Sequence, residues 1–321
     1  MKTLLRALAA LLAGLSLWAG GAAAAYPEKS ITLIVPFPPG GRTDLTARVF
    51  AQHLPKHVRQ SVVVVNKPGA GGVLGAKDVA AAPPDGYTLG MFSSAVVTAQ
   101  YTVPTPTHLA DYIALAVVNI DPMALAVKYD APWKTLAELV TYTQKNPGKL
   151  RVGMIPGASA QIFAGGFSKM ANAKTIYVPF KGDSDGVAAL AGGHIDAHVA
   201  VPVSYKALAE AKKIRVLGVA AAQRSALYDD VPTFRDNGVD LVIGSFHIVF
   251  APKGTPGEVQ AELAQAIART MQEPELAKQM AAANLGYAYL NQKETAAFLA
   301  QQDELHRRLI DELGMRVTTK K

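Results

Sequence analysis

Residues 31–44 read Ile31-Thr32-Leu33-Ile34-Val35-Pro36-Phe37-Pro38-Pro39-Gly40-Gly41-Arg42-Thr43-Asp44, and they decide the fold class. The run from Ile31 to Phe37 is apolar and rich in β-branched residues, the signature of a buried strand. Pro38-Pro39-Gly40-Gly41 stops it. From Asp44 to about His57 the spacing is helical, with Leu45, Val49 and Leu54 on one side and Arg48, Gln52 and Lys56 largely on another. A buried strand that turns through glycines into a helix is the building unit of an α/β protein. Such a turn also carries chemistry. Glycine lets a ligand approach the backbone, the first helical turn leaves N–H groups unpaired, and the helix dipole favours an anion there. Thr43 offers a hydroxyl, and Asp44 is expected to cap the helix and fix the loop.

Working outward, the same unit recurs. Strand-like runs at Val62–Val65, Thr88–Phe92, Leu150–Met154, Thr175–Pro179, Ile195–Val199 and Val216–Ala221 alternate with helical segments, which implies parallel sheets with both faces covered. Ser93-Ser94, Gly157-Ala158-Ser159 (before a helix from about Gln161) and Pro179-Phe180-Lys181-Gly182 each follow a strand. In open α/β sheets ligands bind outside the carboxyl ends of strands, where these loops gather. Arg42 and Lys181 read equally as carboxylate clamps or as solvated loop side chains. The length of 321 residues suits two domains. β-rich stretches at 122–128 and 242–250 read as hinge strands, dividing the chain into 26–125 plus 246–321 and an inserted 126–245.

Half of the residues are hydrophobic and 18% are charged, which excludes a disordered chain. The chain has no cysteine, so disulfides, thiolate nucleophiles and cysteine-held metals are excluded. Lys2 and Arg6, an apolar run from Ala7 to about Ala19, and Ala23-Ala24-Ala25 compose a secretory signal peptide over 1–25. The expected mature protein, with no cysteine at the junction to carry lipid, is soluble, monomeric and periplasmic. The net charge of +7 falls to +5 without Lys2 and Arg6, with 30 basic and 25 acidic residues left. Those charges are scattered, which speaks for small anions and against nucleic acid. His194 and His198 share a strand face with Asp196 between them, which makes a metal site conceivable. No further ligand is evident, however, and Gly192-Gly193 makes a turn into a strand the natural reading. Gly69, Gly71 and Gly75 miss the dinucleotide spacing by one residue. G-x-S-x-G, H-E-x-x-H and Walker sequences are absent, so no cofactor or metal is expected, and a periplasmic hydrolase or a signalling sensor is the alternative.

The ordered segments VPFPPGGRTD (35–44), VVVVNKPGAGGVLGA (62–76), PPDGYTL (83–89), NPGKLRVG (146–153), YVPFKG (177–182), GGHID (192–196), DVPTF (230–234) and APKGTP (251–256) resemble the Bug/TctC substrate-binding proteins of tripartite tricarboxylate transporters. Together they cover essentially the whole chain after the leader. The resemblance implies a two-domain Venus flytrap fold of periplasmic binding protein type II, without catalysis. It also implies a small carboxylate ligand in an interdomain cleft and membrane transporter subunits as partners. On that basis Phe37, Pro38, Pro39, Gly40, Gly41 and Thr43 hold the ligand carboxylate, helped by bridging waters. Ser93 and Ser94 adjoin it, while Gly157, Ala158, Ser159, Gln161, Pro179, Phe180, Lys181 and Ala200 form the opposite wall. Two departures bear on the ligand. Arg42 replaces a small side chain, and Ala200 stands where the family often has an acid for an amino group, which favours a plain carboxylate over an amino acid.

Overall fold

The computed structural model describes residues 26–104, 107–155, 159–172, 174–180, 182–222, 224 and 230–317. The expected leader, 1–25, lies outside them. The chain begins with β1 (Ile31–Val35), α1 (Arg42–His53), α2 (Pro55–Val58), β2 (Val62–Asn66), α3 (Val73–Ala80), β3 (Thr88–Ser93), α4 (Ala95–Thr102) and β4 (Tyr112–Pro122). It continues through β5 (Ala124–Lys128), α5 (Leu136–Lys145), β6 (Arg151–Met154), α6 (Ser159–Met170), β7 (Ile176–Pro179), α7 (Asp183–Ala191), β8 (Ala197–Ala200), α8 (Lys206–Glu210) and β9 (Ile214–Val219). It ends with β10 (Gly244–Pro252), α9 (Gly257–Met271), α10 (Pro274–Ala282) and α11 (Gln292–Glu312).

The strands form two five-stranded sheets, ordered β2-β1-β3-β10-β4 and β7-β6-β8-β5-β9. Each has an apolar cluster on both faces, as helices flanking a sheet require. This is a two-domain Venus flytrap-like α/β fold. The sheets are mixed, where alternation alone implied parallel ones. β1, β2 and β3 run parallel, as do β6, β7 and β8, but β10 is antiparallel to β3 and β4, and β5 is antiparallel to β8 and β9. The antiparallel strands are the ones that carry the chain between sheets. β4 runs almost directly into β5, and the return enters β10. At the crossing Met123 N donates to Ile243 O (2.9 Å), Ala220 N to Met123 O (2.7 Å) and Ile243 N to Ala220 O (3.1 Å). These bonds tie the two connections together where the chain changes sheets.

Side-chain size misleads on two elements. The buried stripe of α1 is Thr43, Thr46, Ala47, Phe50 and Ala51, while Leu45 is 38% exposed. Phe50 and the small residues around it set the core face by their helical phase, and Leu45 falls outside that face. β2 is an edge strand rather than a fully buried one, with Val63 48% exposed. The last helix reaches both sheets. Thr295 accepts from Val117 N at 2.9 Å in β4, Asp303 accepts from Tyr101 at 2.7 Å, and Leu309 and Ile310 lie in the core cluster of the second sheet. No helix among the described residues is long and apolar enough to cross a membrane.

The turn after β1 is clamped by α3. A Cβ on Gly75 would lie 2.6 Å from Lys67 O and 2.9 Å from Pro36 Cα, both backbone atoms with no room to yield. Gly75→Ala should therefore destabilise the fold by about 1–3 kcal/mol, the usual range for overpacking. Urea denaturation checks this, and an unchanged midpoint would refute the tight seat of α3.

Candidate functional site

The turn from Pro36 to Asp44 is held from two sides. Gly41 is the N-cap, with φ −74° and ψ 165°, and no side chain caps the helix. Asp44 fixes the loop as expected, but from the third helical position. Its carboxylate accepts from Gly40 N (2.9 Å), Arg48 Nε (2.9 Å) and Asn66 Nδ2 (2.8 Å). Burial pushes this carboxyl up, yet the bonds from Arg48, Gly40 and Asn66 together hold it below the usual carboxylate range. Asn66 Nδ2 also donates to Phe37 O at 3.0 Å, so β2 secures the loop on the side away from β3.

On the inner side a relay fixes the first turn of α1. Asn119 Nδ2 donates to Gly286 O at 2.6 Å, which turns Asn119 Oδ1 toward His247 Nδ1 at 2.8 Å. Nδ1 must then carry the proton, and Nε2 accepts from Thr43 Oγ1 at 3.1 Å. Burial, reinforced by the charge of Arg42, pushes His247 down to about 3, so the ring is neutral and keeps one tautomer. The Thr43 proton is consequently spent inward. Asp121 completes the inner side by accepting from Gly286 N at 2.8 Å and pairing with Arg42, whose Nη1 also reaches Asn284 O at 3.3 Å. The Arg42 Nε is buried and has no partner among the described residues. A buried donor left unmade is costly, so this atom asks for an acceptor.

Arg42 faces a cavity of about 140 Å³ between the sheets. The first sheet supplies Ser93, Ser94 and Ser245, the second supplies Ser159, Asp183 and Val201, and Met123 of the crossing lies on the wall. Ser94 Oγ and Ser159 Oγ are 2.7 Å apart, both buried, and bridge the two sheets. One hydroxyl proton closes that bond and the other is left for a guest. Beyond Arg42, Asp121 and Asn284 line a wider groove of about 590 Å³ with Lys206 and Tyr287. A chamber lined by hydroxyls and a guanidinium suits a small oxyanion.

Of the residues expected at the site, the structure gathers Ser93, Ser94 and Ser159 on the cavity. Pro38, Pro39, Gly40 and Gly41 are exposed at the loop tip immediately before Arg42, and Thr43 is buried against His247. Phe37 lies under Gly72, where a Cβ would come 3.1 Å from its ring. Gln161 and Pro179 are not on the cavity wall, and Phe180 turns its ring edge-on to His198, 6.1 Å away. Ala200 is 1% exposed within an apolar cluster, and its neighbour Val201 is the one that reaches the cavity. Gly157, Ala158 and Lys181 lie outside the described residues. Sequence reasoning left Arg42 undecided and missed Asp183, Ser245 and Met123. The strand-to-helix position of Asp183 was the available signal. Of the histidines weighed for a metal, His198 bonds Tyr205 at 3.0 Å, and the intervening Asp196 pairs with Arg151 at 2.8 Å.

The relay has a testable consequence. Between the ordinary histidine value of 6.5 and about 3, the unfolded chain binds a proton at His247 that the folded chain does not. Stability should then fall as pH drops from 6.5, by about 1.4 kcal/mol per unit for each such histidine. Urea midpoints at pH 7 and pH 5 should shift less for His247→Asn than for the natural chain, and equal shifts would contradict the buried neutral ring.

Comparisons with known proteins agree with this architecture. Residues 46–315 match the model of the family described as tripartite tricarboxylate transporter family receptor, TctC. A TctC solute-binding protein from Polaromonas, crystallised without ligand, is 33% identical, with a TM-score of 0.84 over 89% of this chain and 99% of that one. Rpa4515 of R. palustris with adipate is 26% identical, with a TM-score of 0.74 over 90% of this chain and 98% of that one. MatC from Rhodopseudomonas palustris with bound malate is 26% identical, with a TM-score of 0.70 over 89% and 99%. The family is one of extracytoplasmic solute-binding receptors, and this chain belongs to it: a TctC-type, or Bug-type, receptor.

Proposed function

We propose that the protein captures a small organic carboxylate in the cavity between its sheets, closes on it, and presents it to the membrane subunits of a tripartite tricarboxylate transporter. The observation that carries this reading is that Arg42, the first residue of α1, and the Ser94–Ser159 hydroxyl pair line one chamber between the sheets. Neighbours of the same fold with bound adipate and malate support a carboxylate as the class of guest. Cleavage after Ala25 would release a soluble, monomeric periplasmic receptor. The two bodies, near 26–125 plus 246–321 and 126–245, would hinge at the Met123–Ile243 crossing, with α11 as a strut reaching both.

Closure requires contacts that the ligand makes only when both walls are present, because equal affinity for open and closed states shifts nothing. Arg42 on one wall and Ser159 on the other meet that need. Water that fills residual gaps preserves hydrogen bonds at little entropic cost. A hydrolase would need a base beside a nucleophile. Here Ser94 and Ser159 bond each other. Thr43, His247 and Asn119 do stand in hydroxyl–imidazole–amide order, but Thr43 and His247 are buried away from the cavity and burial makes that ring a weak base. The polar groups therefore favour holding over attack.

Differential scanning fluorimetry against mono-, di- and tricarboxylates tests the reading, with stabilisation by at least one class expected. Flat melting curves at millimolar ligand, with folded and ligand-free protein, would overturn it. Gly41→Val adds a sharper arm. Gly41 has an ordinary negative φ, and a Cβ there would meet only Pro38 O, at 3.6 Å. The variant should fold with a loss of no more than about 1 kcal/mol, yet block approach to the turn and abolish the ligand-induced shift. An undiminished shift would place the carboxylate elsewhere.

A further inference from the structure

We propose that Asp183 is a specificity-determining residue, which makes the cleft select carboxylates bearing a hydroxyl or ammonium group within a few atoms of the carboxylate. This inference rests on the receptor reading above and narrows its ligand class. Asp183 opens α7 and lines the same cavity as Arg42, Ser94 and Ser159. Its Oδ2 accepts one bond, from Ser204 Oγ at 3.1 Å. Arg42 is not its salt-bridge partner, because the Arg42 Nη atoms are given to Asp121 and Asn284. The chamber therefore has two chemically opposite ends. One carries donors: the Arg42 guanidinium and the spare serine proton. The other is an acceptor-only carboxylate with capacity for another donor.

The cavity of about 140 Å³ is small enough that a guest seated at the donor end also reaches the acceptor end. A second carboxylate arriving there would face like charge in a partly desolvated place, which is strongly unfavourable. A hydroxyl or ammonium group would instead make the missing hydrogen bond. Sites built to meet a donor reject analogues that lack it far more strongly than apolar pockets reject a missing methylene. Burial raises the Asp183 carboxyl above its ordinary value, against weaker opposing effects of Ser204 and Arg42. That strain of desolvation is what a donor on the guest relieves. On this proposal an acid from another element does the work of the one missing at Ala200, which widens the ligand class beyond the plain carboxylates that Ala200 alone favours.

Isothermal titration of the mature chain with two matched sets tests this: propionate, lactate and alanine, then succinate, malate and aspartate. In at least one set a hydroxyl- or ammonium-bearing member should bind tenfold or more tightly than the unsubstituted acid. Asp183→Asn keeps the size and removes the charge, and it should erase that preference while succinate gains affinity. Circular dichroism and melting confirm that the variant is folded, and Asp183→Ser serves if it is not. Preference for the unsubstituted acids in the natural chain, or an unchanged ranking in the folded variant, would overturn the role of Asp183 while leaving the receptor reading intact. Binding of none of the six, while another carboxylate shifts the melting curve, would overturn the role of Asp183 alone, and flat melting curves across all carboxylates would overturn the receptor reading as well.

Discussion

The hydrogen bond from Thr43 to His247 anchors the rest of the site. It is the last link of a chain that runs from Gly286 O through Asn119 and the neutral imidazole to the first turn of α1. Each link fixes the next, because the amide orientation sets the tautomer and the tautomer sets the direction of the hydroxyl. The result is a helix terminus that cannot turn its second residue outward. Arg42, one residue earlier, is left to face the cavity with its Nη groups tethered and its Nε unpaired. Buried polar chains of this sort are worthwhile only when every member is satisfied, and such chains specify a unique geometry. A rigid donor end is what a receptor needs to bind an anion without reorganising.

Topology supplies the opposite wall. β4 and β10 carry the chain out of the first sheet and back, and three backbone bonds join Met123, which lines the cavity, to Ala220 and Ile243. Strand ends and helix starts of both sheets therefore open on one space, as expected for sheets of this class. The hydrogen bond between Ser94 and Ser159 joins the two walls, and α11 packs against both sheets. A guest that adds bonds to both walls favours the closed arrangement by the difference between its two affinities.

Much of this was legible in residues 31–44, because apolar β-branched runs broken by glycine and proline are local signals. The site loops at Ser93-Ser94 and Ser159 were legible for the same reason. Other features depend on long-range pairing, which no local pattern encodes. The antiparallel seating of β10 beside β3 and β4 is one, and the meeting of Asn119 with His247 across 128 positions is another. Asp44 was assigned the right task at the wrong helical position, since a carboxylate at the third residue reaches back to the loop as well as a capping one does. Leu45 shares a side with Val49 by spacing, but Phe50 with Thr43, Thr46 and Ala47 sets the core face, a phase that long-range packing decides. Asp183 was overlooked because an acid opening a helix already has a reason to be there, in the dipole. Only its position against Arg42 and the serines gives it a second one.

The most direct test is a crystal structure of the chain grown with the carboxylate that gives the largest thermal shift. The expected density places the carboxylate in the inner cavity beside the Arg42 guanidinium, at the start of α1, with the Ser94 and Ser159 hydroxyls next to it. A ligand seated instead in the outer groove by Lys206 and Tyr287, with the inner cavity untouched, would contradict the anion-holding role of that turn.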